Sequence, residues 1–354
     1  MSMIKASADV IGFLLLSLVA IIKSLARACV PSKYRMKDVA GEIALVTGGG
    51  SGLGRLISLR LAELGAIVVV WDVNAQGLNE TVKMVQEAGG TCYGYVCDLC
   101  EREDVYKKAA LLAKEVGRVS ILVNNAGVVT GKKFLDSPDH LIKRTMDVNI
   151  MSHFWTVKAF LPAMCKENKG HIVSIASLAG HVGCPKLVDY TASKFAAVGF
   201  DEALRMELEA DGYDIKTTVI CPYFIKSTGM FDDVMARNDI TIRFIPTLSP
   251  VQVADRVITA MRCNEKYAII PSYLQVLLAV KWMFPWKCAN MLLRGLVHDA
   301  APTDSHSAVA QIPPTPAAVT KLISEESANN KDQGNGTVLH QQLARRVSSS
   351  ERKP

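Results

Sequence analysis

The chain has 354 residues, of which 49% are hydrophobic and 21% are charged, and its formal net charge is +6. This length is enough for one large α/β domain with appendages. The charge is modest, and no basic stripe carries interleaved aromatic residues, which argues against nucleic-acid binding. The hydrophobic fraction is high for a soluble enzyme and indicates contact with a membrane.

The nine cysteines are spread along the chain without a framework pattern. An odd number of this kind is typical of reduced thiols in a protein that faces the cytosol. Cys97 and Cys100 have the CxxC spacing, but neither a second pair nor a nearby histidine completes a zinc site. We therefore expect no metal ion and interpret this pair as two small thiols at the end of a strand.

Residues 1–35 are predicted to form a hydrophobic membrane anchor. Segment 10–22 (VIGFLLLSLVAII) is uncharged, and no small-residue cleavage motif marks it as a secretory signal. It is shorter than the roughly 20 apolar residues of a bilayer span, so a spanning helix and a helix lying in one leaflet are both open. The positive-inside rule places the catalytic domain on the cytosolic side, because basic residues cluster after the segment. They are Lys23, Arg27, Lys33, Arg35 and Lys37.

Residues 41–265 alternate short apolar runs with segments of helical periodicity. The runs are IALVTG, AIVVVWDV, TCYGYVCD, VSILVNNAG, GHIVSIAS and KTTVICPY. Such β-branched, nearly continuous runs are typical of strands that are buried on both faces of a parallel sheet. Segments 55–64 and 75–88 have the periodicity of helices. The alternation predicts an α/β fold with a doubly wound, Rossmann-type parallel sheet in a single domain.

Two segments follow this domain. Residues 266–298 are strongly apolar, with Trp282, Trp286 and several basic residues interleaved. This composition favours a membrane-associated amphipathic segment, while a core helix or a dimer contact is equally compatible with it. Residues 300–354 are rich in Ser, Asn, Gln, Thr and Pro and contain no aromatic residue, so we expect a disordered tail.

A glycine-rich turn at 47–54 (TGGGSGLG) follows the first predicted strand and opens a predicted helix. Glycines in this context let backbone N–H groups approach a pyrophosphate at a helix N-terminus, so the turn predicts a dinucleotide site. Asp72 ends the second predicted strand, where a carboxylate accepts hydrogen bonds from the adenosine ribose and repels a 2′-phosphate. Neither the turn nor Val73 supplies a cation for that phosphate. We therefore expect NAD as the cofactor and NADP to be disfavoured.

Tyr190 and Lys194 lie one helical turn apart, and Ser177 precedes Tyr190 by thirteen residues. Residues at i and i+4 share one face of a helix. The unperturbed pKa of a tyrosine is about 10, and a neighbouring ammonium group favours the phenolate. This pair is therefore predicted to transfer a proton beside the bound cofactor.

Seven motifs stand in the order typical of one family: TGGGSGLG, the Asp98 of CDL, NNAG at 124–127, Asn149, Ser177, YTASK and the Pro222 region. On these motifs, residues 41–250 resemble a classical short-chain dehydrogenase/reductase. The runs WDVN, VNNAGVV, HFWTVKAFLPAM, DYTASKFAAVGF and CPYFIKSTGMF are similar to its membrane-bound retinol dehydrogenases. That group also includes lipid-droplet 17-beta hydroxysteroid dehydrogenases.

The resemblance implies a role for each catalytic position. Tyr190 would accept the proton of the substrate hydroxyl, and Lys194 would lower the pKa of Tyr190 and hold the nicotinamide ribose. Ser177 would hydrogen-bond the substrate oxygen, and Asn149 would hold a water that links Lys194 to solvent. Asp98 would contact the adenine.

The resemblance also implies a set of cofactor-binding residues. Asn125 would brace the sheet beside the cofactor. Tyr223 follows Pro222 where the family commonly has glycine, and the next loop is one residue longer than in the similar sequences. Either Ser227 or Thr228 would therefore contact the carboxamide. The full set is Gly48, Ser51, Gly52, Leu53, Gly54, Asp72, Asp98, Asn125, Ala126, Gly127, Tyr190, Lys194, Pro222, Ser227 and Thr228.

The predicted function is an NAD-dependent oxidation of a lipophilic alcohol at a membrane, and the resemblance favours all-trans-retinol oxidised to retinal. The first alternative is a 17-beta hydroxysteroid or another lipid alcohol as the substrate. The second is a non-catalytic membrane or lipid-droplet scaffold, against which the intact Asn149, Ser177, Tyr190 and Lys194 argue. The resemblance further implies the endoplasmic reticulum membrane or a lipid droplet as the location, and a homodimer formed through helices near YTASK.

Overall fold

The computed structural model describes residues 2–225 and 247–288, and these form a parallel sheet covered by helices on both faces. The strands are β1 (Ile43–Thr47), β2 (Ile67–Asp72), β3 (Thr91–Val96), β4 (Ile121–Asn124), β5 (Gly170–Ile175), β6 (Ile215–Pro222) and β7 (Tyr267–Ile270). The helices are α1 (Ser2–Cys29), α2 (Gly52–Glu63), α3 (Ala75–Glu87), α4 (Arg102–Glu115), α5 (Asp139–Met146), α6 (Ser152–Glu167), α7 (Val188–Ala210), α8 (Pro250–Arg262) and α9 (Leu274–Met283).

The strand order is β3-β2-β1-β4-β5-β6-β7, and every pair is parallel. The chain builds outward from β1 to β3 and then returns to place β4 on the other side of β1. This reversal opens a crevice at the carboxyl ends of β1 and β4, where doubly wound sheets bind their ligands. The predicted Rossmann-type fold is confirmed.

Alternate residues of the central strands point into two separate layers of core. Val68 and Val70 pack with α2, α3 and α8, whereas Val69 and Trp71 pack with α4 and α6. Because both faces are covered, the strand sequences are continuously apolar and do not alternate with polar residues.

The C-terminal part of the described chain differs from the sequence-based expectation. Tyr267–Ile270 lies within segment 266–298, which is predicted to be membrane-associated, but it forms β7, and Ala268 pairs with Ile220 of β6. The run is short and apolar because it completes the edge of a buried sheet. Residues 289–298 and the predicted disordered tail lie outside the described residues.

Helix α1 contains the predicted anchor segment, and the apolar side chains between positions 10 and 22 are mostly exposed. Within the described ranges, none of the helices combines the length and the apolarity that crossing a membrane requires.

Candidate active site

A cleft of about 860 Å³ lies at the carboxyl edge of the sheet. It runs from the glycine-rich turn across the ends of the central strands to β6 and α7. Most of the site residues predicted from the sequence line it together. They are Gly48, Ser51, Gly52, Leu53, Gly54, Asp72, Asp98, Asn125, Ala126, Gly127, Ser177, Tyr190, Lys194 and Pro222. Asn149 lies behind the cleft wall, and Ser227 and Thr228 lie outside the described residues.

The glycine-rich turn leaves no room for side chains where the chain enters α2. Gly48 has a φ of +64°, and a Cβ on it would lie 2.8 Å from the Ala126 Cα. A Cβ on Gly54 would lie 2.3 Å from the Gly48 carbonyl oxygen and 2.5 Å from the Asn125 Nδ2. The backbone therefore forms a close cradle at a helix N-terminus, which fits a pyrophosphate group.

Asn125 fastens this cradle to the end of β4. Its Nδ2 donates to the Thr47 carbonyl oxygen at 2.9 Å and to the Gly48 carbonyl oxygen at 3.2 Å. The Thr47 Oγ1 accepts from the backbone nitrogens of Asn125 at 3.0 Å and Ala126 at 3.1 Å, and it donates to the Val123 carbonyl oxygen at 3.3 Å. These contacts agree with the predicted bracing role of Asn125. Thr47 shares in this bracing, which could not be predicted because Thr47 is a single polar residue in an apolar strand.

Asp72 stands at the end of β2, beside the cradle. Its Oδ2 accepts from the Gly50 N–H at 2.9 Å and its Oδ1 accepts from the Asn74 N–H at 2.9 Å. Each oxygen keeps acceptor capacity toward the cleft, because a carboxylate offers about four lone-pair directions. A Cβ on Gly50 would lie 2.8 Å from Oδ2, so the turn and the carboxylate are fitted to each other.

A cation that no sequence motif indicates, Arg55, lies behind this turn. The Arg55 Nη2 donates to the Gly50 carbonyl oxygen at 2.5 Å and pairs with Glu80 at 2.9 Å, and the Nε donates to Thr81. Arg55 does not line the cleft. Its charge is therefore directed at the back of the turn and at Glu80, which leaves Asp72 as the charged group on the ribose side of the turn.

Asp98 and the CxxC pair form the far end of the cleft, below β3. The Asp98 Oδ1 accepts from the Cys100 N–H at 2.9 Å. Burial raises the pKa of the Cys97 thiol to about 12 and that of the Cys100 thiol to about 11. Both thiols are therefore neutral near pH 7, which suits a packed turn.

Tyr190, Lys194 and Ser177 come together at the other end. Tyr190 and Lys194 are buried on α7, and the Lys194 Nζ lies 5.6 Å from the centre of the Tyr190 ring. This Nζ donates to the Ile175 carbonyl oxygen at the end of β5, at 2.9 Å. Ser177, two residues beyond that strand, hydrogen-bonds Tyr190. The strand end thus positions both the lysine and the serine against the tyrosine.

The titration of this group differs from the expectation for Tyr190. Burial raises the pKa of Tyr190 to about 12, and the hydrogen bond from Ser177 opposes this shift. Burial also lowers the pKa of Lys194 to about 8. For the protein alone, the expected lowering of the tyrosine pKa by the lysine is therefore not found, because desolvation of the phenolate is the largest cause of the shift and only the hydrogen bond from Ser177 opposes it.

Asn149 lies in a short π-helix (Asp147–Met151) between α5 and α6. Its Oδ1 accepts from the Val128 N–H at 2.8 Å, and its Nδ2 donates to the Val128 carbonyl oxygen at 2.9 Å and to the Ser193 Oγ at 3.0 Å. The Ser193 Oγ in turn donates to the Tyr190 carbonyl oxygen at 2.7 Å. The amide therefore ties the loop after β4 to the catalytic helix, and the water-holding role of Asn149 stays a prediction.

The wall around the Tyr190 side chain is apolar. Tyr190 belongs to a cluster of buried side chains, against which Val129, Phe224 and Leu278 also pack. The other members of the cluster are Ala179, Val182, Cys184 and Leu187. This wall cannot be predicted from the sequence, because its members come from four separate segments. The arrangement places the hydroxyl groups of Ser177 and Tyr190 and the buried Lys194 at the end of an apolar cavity.

Comparison with known proteins agrees with this geometry. Residues 42–239 match the family model described as short chain dehydrogenase. Epidermal retinol dehydrogenase 2 of Homo sapiens is 43% identical over 299 residues, which cover 83% of this chain and 95% of that protein. Estradiol 17-beta-dehydrogenase 11 of Homo sapiens is 41% identical over 287 residues, which cover 81% of this chain and 93% of that protein.

Two solved structures share the fold. A short chain dehydrogenase/reductase from Burkholderia phymatum in complex with NAD has a TM-score of 0.63 and 26% identity, over 77% of this chain and all of the other. A metagenomic short-chain oxidoreductase in complex with NADP has a TM-score of 0.56 and 25% identity, over 66% of this chain and 98% of the other.

The chain belongs to the short-chain dehydrogenase family. It is an oxidoreductase with the Rossmann-type fold of that family, and its site is bordered by an apolar wall.

Proposed function

We propose that this protein oxidises all-trans-retinol to retinal with NAD as the cofactor. The observation that carries the proposal is the apolar wall around Tyr190, which suits a long hydrocarbon substrate with one hydroxyl group. The likeness to epidermal retinol dehydrogenase 2 supports the choice of retinol. The rival substrate is a 17-beta hydroxysteroid, which the likeness to estradiol 17-beta-dehydrogenase 11 supports in the same way.

In this proposal, the chain's own residues hold the alcohol and move its proton. Ser177 and Tyr190 bind the hydroxyl oxygen, and Tyr190 removes the hydroxyl proton as a phenolate, which requires its pKa to fall in the loaded site from the value of about 12 that it has in the protein alone. The Lys194 ammonium keeps two N–H groups beyond the one bonded to Ile175, and these are available to the nicotinamide ribose. The cofactor, when bound, accepts the hydride. The apolar wall excludes water from this proton transfer.

The preference for NAD rests on Asp72. Its two oxygens are fixed by backbone N–H groups on the ribose side of the cradle, and the nearby Arg55 is turned away toward Gly50 and Glu80. A 2′-phosphate placed beside this carboxylate would meet like charge, and no cation of the described turn lines the cleft to offset it.

The proposed location is a membrane of the endoplasmic reticulum or a lipid droplet, with the catalytic domain facing the cytosol. Support comes from the exposed apolar side chains of α1 and from the basic residues that follow position 22. A location at a membrane would also bring the enzyme to a substrate that is poorly soluble in water.

A substrate panel tests the proposal directly. All-trans-retinol, estradiol and a short water-soluble alcohol are each offered with NAD and with NADP, and NADH or NADPH formation is followed by absorbance. We expect the highest kcat/KM for retinol with NAD, and a loss of about 10²–10⁴-fold in the turnover of every alcohol by Tyr190→Phe. A higher kcat/KM for the steroid would replace retinol by the rival substrate, and a higher value with NADP would overturn the assignment of Asp72.

A further inference from the structure

Two exposed apolar residues form the tip of the loop between β4 and α5. Phe134 and Leu135 are 60% and 80% exposed. Their short 3-10 turn is closed by hydrogen bonds from the Asp136 N–H and the Ser137 hydroxyl to the Lys133 carbonyl oxygen, both at 3.0 Å. A locally ordered turn therefore holds a phenyl and an isobutyl group in water. We call residues 132–135 (KKFL) the rim tip.

The rim tip is joined to the substrate end of the cleft. Val128 and Val129, which lie in the first part of the same loop, line the cleft. The next residue, Thr130, donates from its Oγ1 to the Asp189 Oδ2 at 2.7 Å, and Asp189 directly precedes Tyr190. The tip thus begins two residues beyond a point that is fixed against the start of the catalytic helix.

Helix α9 borders the same end of the cleft and is apolar on two sides. Leu274 is fully buried, and Leu278 packs against the cluster that contains Tyr190. On the outer side, Val276 and Met283 are 71% and 76% exposed. A helix that is apolar on both sides is typical of one whose outer side also meets an apolar environment. Phe284 and Trp286, just beyond its end, are exposed as well.

We infer that the rim tip and the outer side of α9 dock on the surface of a lipid bilayer, so that the alcohol enters the cleft from the lipid. This inference rests on the proposed function for its substrate, and it adds the route by which that substrate arrives. The partner it names is a phospholipid surface with some anionic headgroups.

The composition of the surface favours lipid over a second copy of the chain. Lys132 and Lys133 are exposed beside Phe134 and Leu135, and in the described part of the chain neither lysine takes part in an ion pair. Basic side chains beside apolar and aromatic ones are typical of membrane-surface contacts. A twofold interface with its axis near the tip would instead bring the same lysines of two copies together, where like charges repel.

A tryptophan placed at the tip reports on contact with lipid without any need for turnover. The full chain is bound to vesicles of phosphatidylcholine and phosphatidylserine that contain brominated acyl chains. We expect the fluorescence added by Phe134→Trp, relative to wild type, to be quenched by the bromine atoms. The matched control is Met206→Trp, because Met206 is 64% exposed on α7 and lies about 24 Å along the helix from Tyr190. Its added fluorescence should not be quenched, and equal quenching at both positions, or none at 134, would overturn the inference.

Turnover then tests the route. The double variant Phe134→Ser with Leu135→Ser should lose about tenfold in kcat/KM for an alcohol dissolved in vesicles, because two apolar contacts with lipid are removed. Its kcat/KM for a short water-soluble alcohol should stay within about twofold of wild type, as should both values for Met206→Ser.

An equal loss with both substrates would overturn the route, because it would mean damage to the site. A change in sedimentation without a change in lipid contact would show that a second copy covers this surface. If no lipophilic alcohol is oxidised by wild type, the proposed function fails, while the quenching result still decides the docking.

Discussion

Tyr190 is the residue on which the proposed chemistry depends most. Burial holds its pKa at about 12, and its hydroxyl is shared with Ser177. We expect Tyr190→Phe to reduce turnover by about 10²–10⁴-fold, because only the proton-transferring hydroxyl is lost. NAD affinity, measured by titration calorimetry, should change little. Turnover within about threefold of wild type would remove Tyr190 from the mechanism.

Lys194 combines a catalytic position with a cost in stability. Burial lowers its pKa from 10.5 to about 8. Below pH 8 the ammonium is charged in both the folded and the unfolded chain, so its desolvation opposes folding in full. Between pH 8 and 10.5 the folded chain holds the neutral amine while the unfolded chain is still protonated, so stability rises with pH and the penalty fades.

Lys194→Met is therefore expected to abolish turnover and yet to stabilise the fold at neutral pH. The gain in unfolding free energy should be about 2 kcal/mol at pH 7, which is about 3 for the removed charge less about 1 for the lost hydrogen bond to Ile175. Chemical denaturation at pH 7 and again near pH 10 measures it. The gain should shrink at the higher pH, and an equal gain at both would contradict the assigned pKa.

Asp72 is expected to set the cofactor preference. Asp72→Ala combined with Val73→Arg removes the repulsion of a 2′-phosphate and supplies a charged partner from a side chain that is exposed at the rim of the cleft. The ratio of kcat/KM for NADP to that for NAD should rise roughly thirtyfold, which corresponds to about 2 kcal/mol. Val73→Arg alone serves as the control and should shift the ratio less. An unchanged ratio in the double variant would place cofactor selection elsewhere.

At the scale of elements, the glycine-rich turn is held by contacts that allow no Cβ. Gly54→Ala would bring a methyl group within 2.3 Å of the Gly48 carbonyl oxygen, so the turn must shift. We expect a loss of about 1–3 kcal/mol in unfolding free energy and at least a tenfold weaker NAD affinity.

Gly199→Ala is the matched control for this change. It lies inside α7, and an added methyl group meets no atom within 4 Å. It should stabilise the helix by up to about 1 kcal/mol and leave NAD binding unchanged. Thermal unfolding measures the stability of both variants, and calorimetric titration measures their NAD affinity. An unaltered NAD affinity in Gly54→Ala would mean that the cradle does not hold the pyrophosphate.

Secondary structure could be predicted best from the sequence where one physical requirement, such as burial, acts on consecutive residues. Strands β1, β2 and β4 to β6 could be predicted because burial on both faces requires an unbroken apolar run, whereas the mostly exposed edge strand β3 is indicated by its β-branched and aromatic residues. Strand β7 could not, since Tyr267–Ile270 continues into an apolar segment whose composition also fits a membrane surface. Features that depend only on packing could not be predicted from the sequence. They are the π-helix that turns Asn149 toward Val128 and the four segments that enclose Tyr190.

At the scale of the whole molecule, the two features that we propose to face lipid belong to different ends of the chain. Helix α1 precedes the first strand, and the segment after it is tied to the end of α8 by hydrogen bonds between Lys37 and Arg262. Helix α9 follows the last strand and packs beside the catalytic residues. An anchor at one end and a docking face at the other would together set the orientation of the cleft toward the lipid.

The proposed cytosolic orientation predicts that the protein carries no N-linked glycan. The chain has two acceptor patterns, Asn79-Glu-Thr81 in α3, where Asn79 is exposed and Thr81 is buried, and Asn335-Gly-Thr337 in the C-terminal segment. Both would be open to modification in a lumenal domain, because glycosylation takes place as the chain enters the lumen. The protein is made in microsomes and treated with a glycan-removing enzyme, with a secreted glycoprotein as the positive control. We expect no change in its mobility. A shift that disappears in Asn335→Gln or in Asn79→Gln would place the domain in the lumen, where the cytosolic NAD pool cannot drive the oxidation.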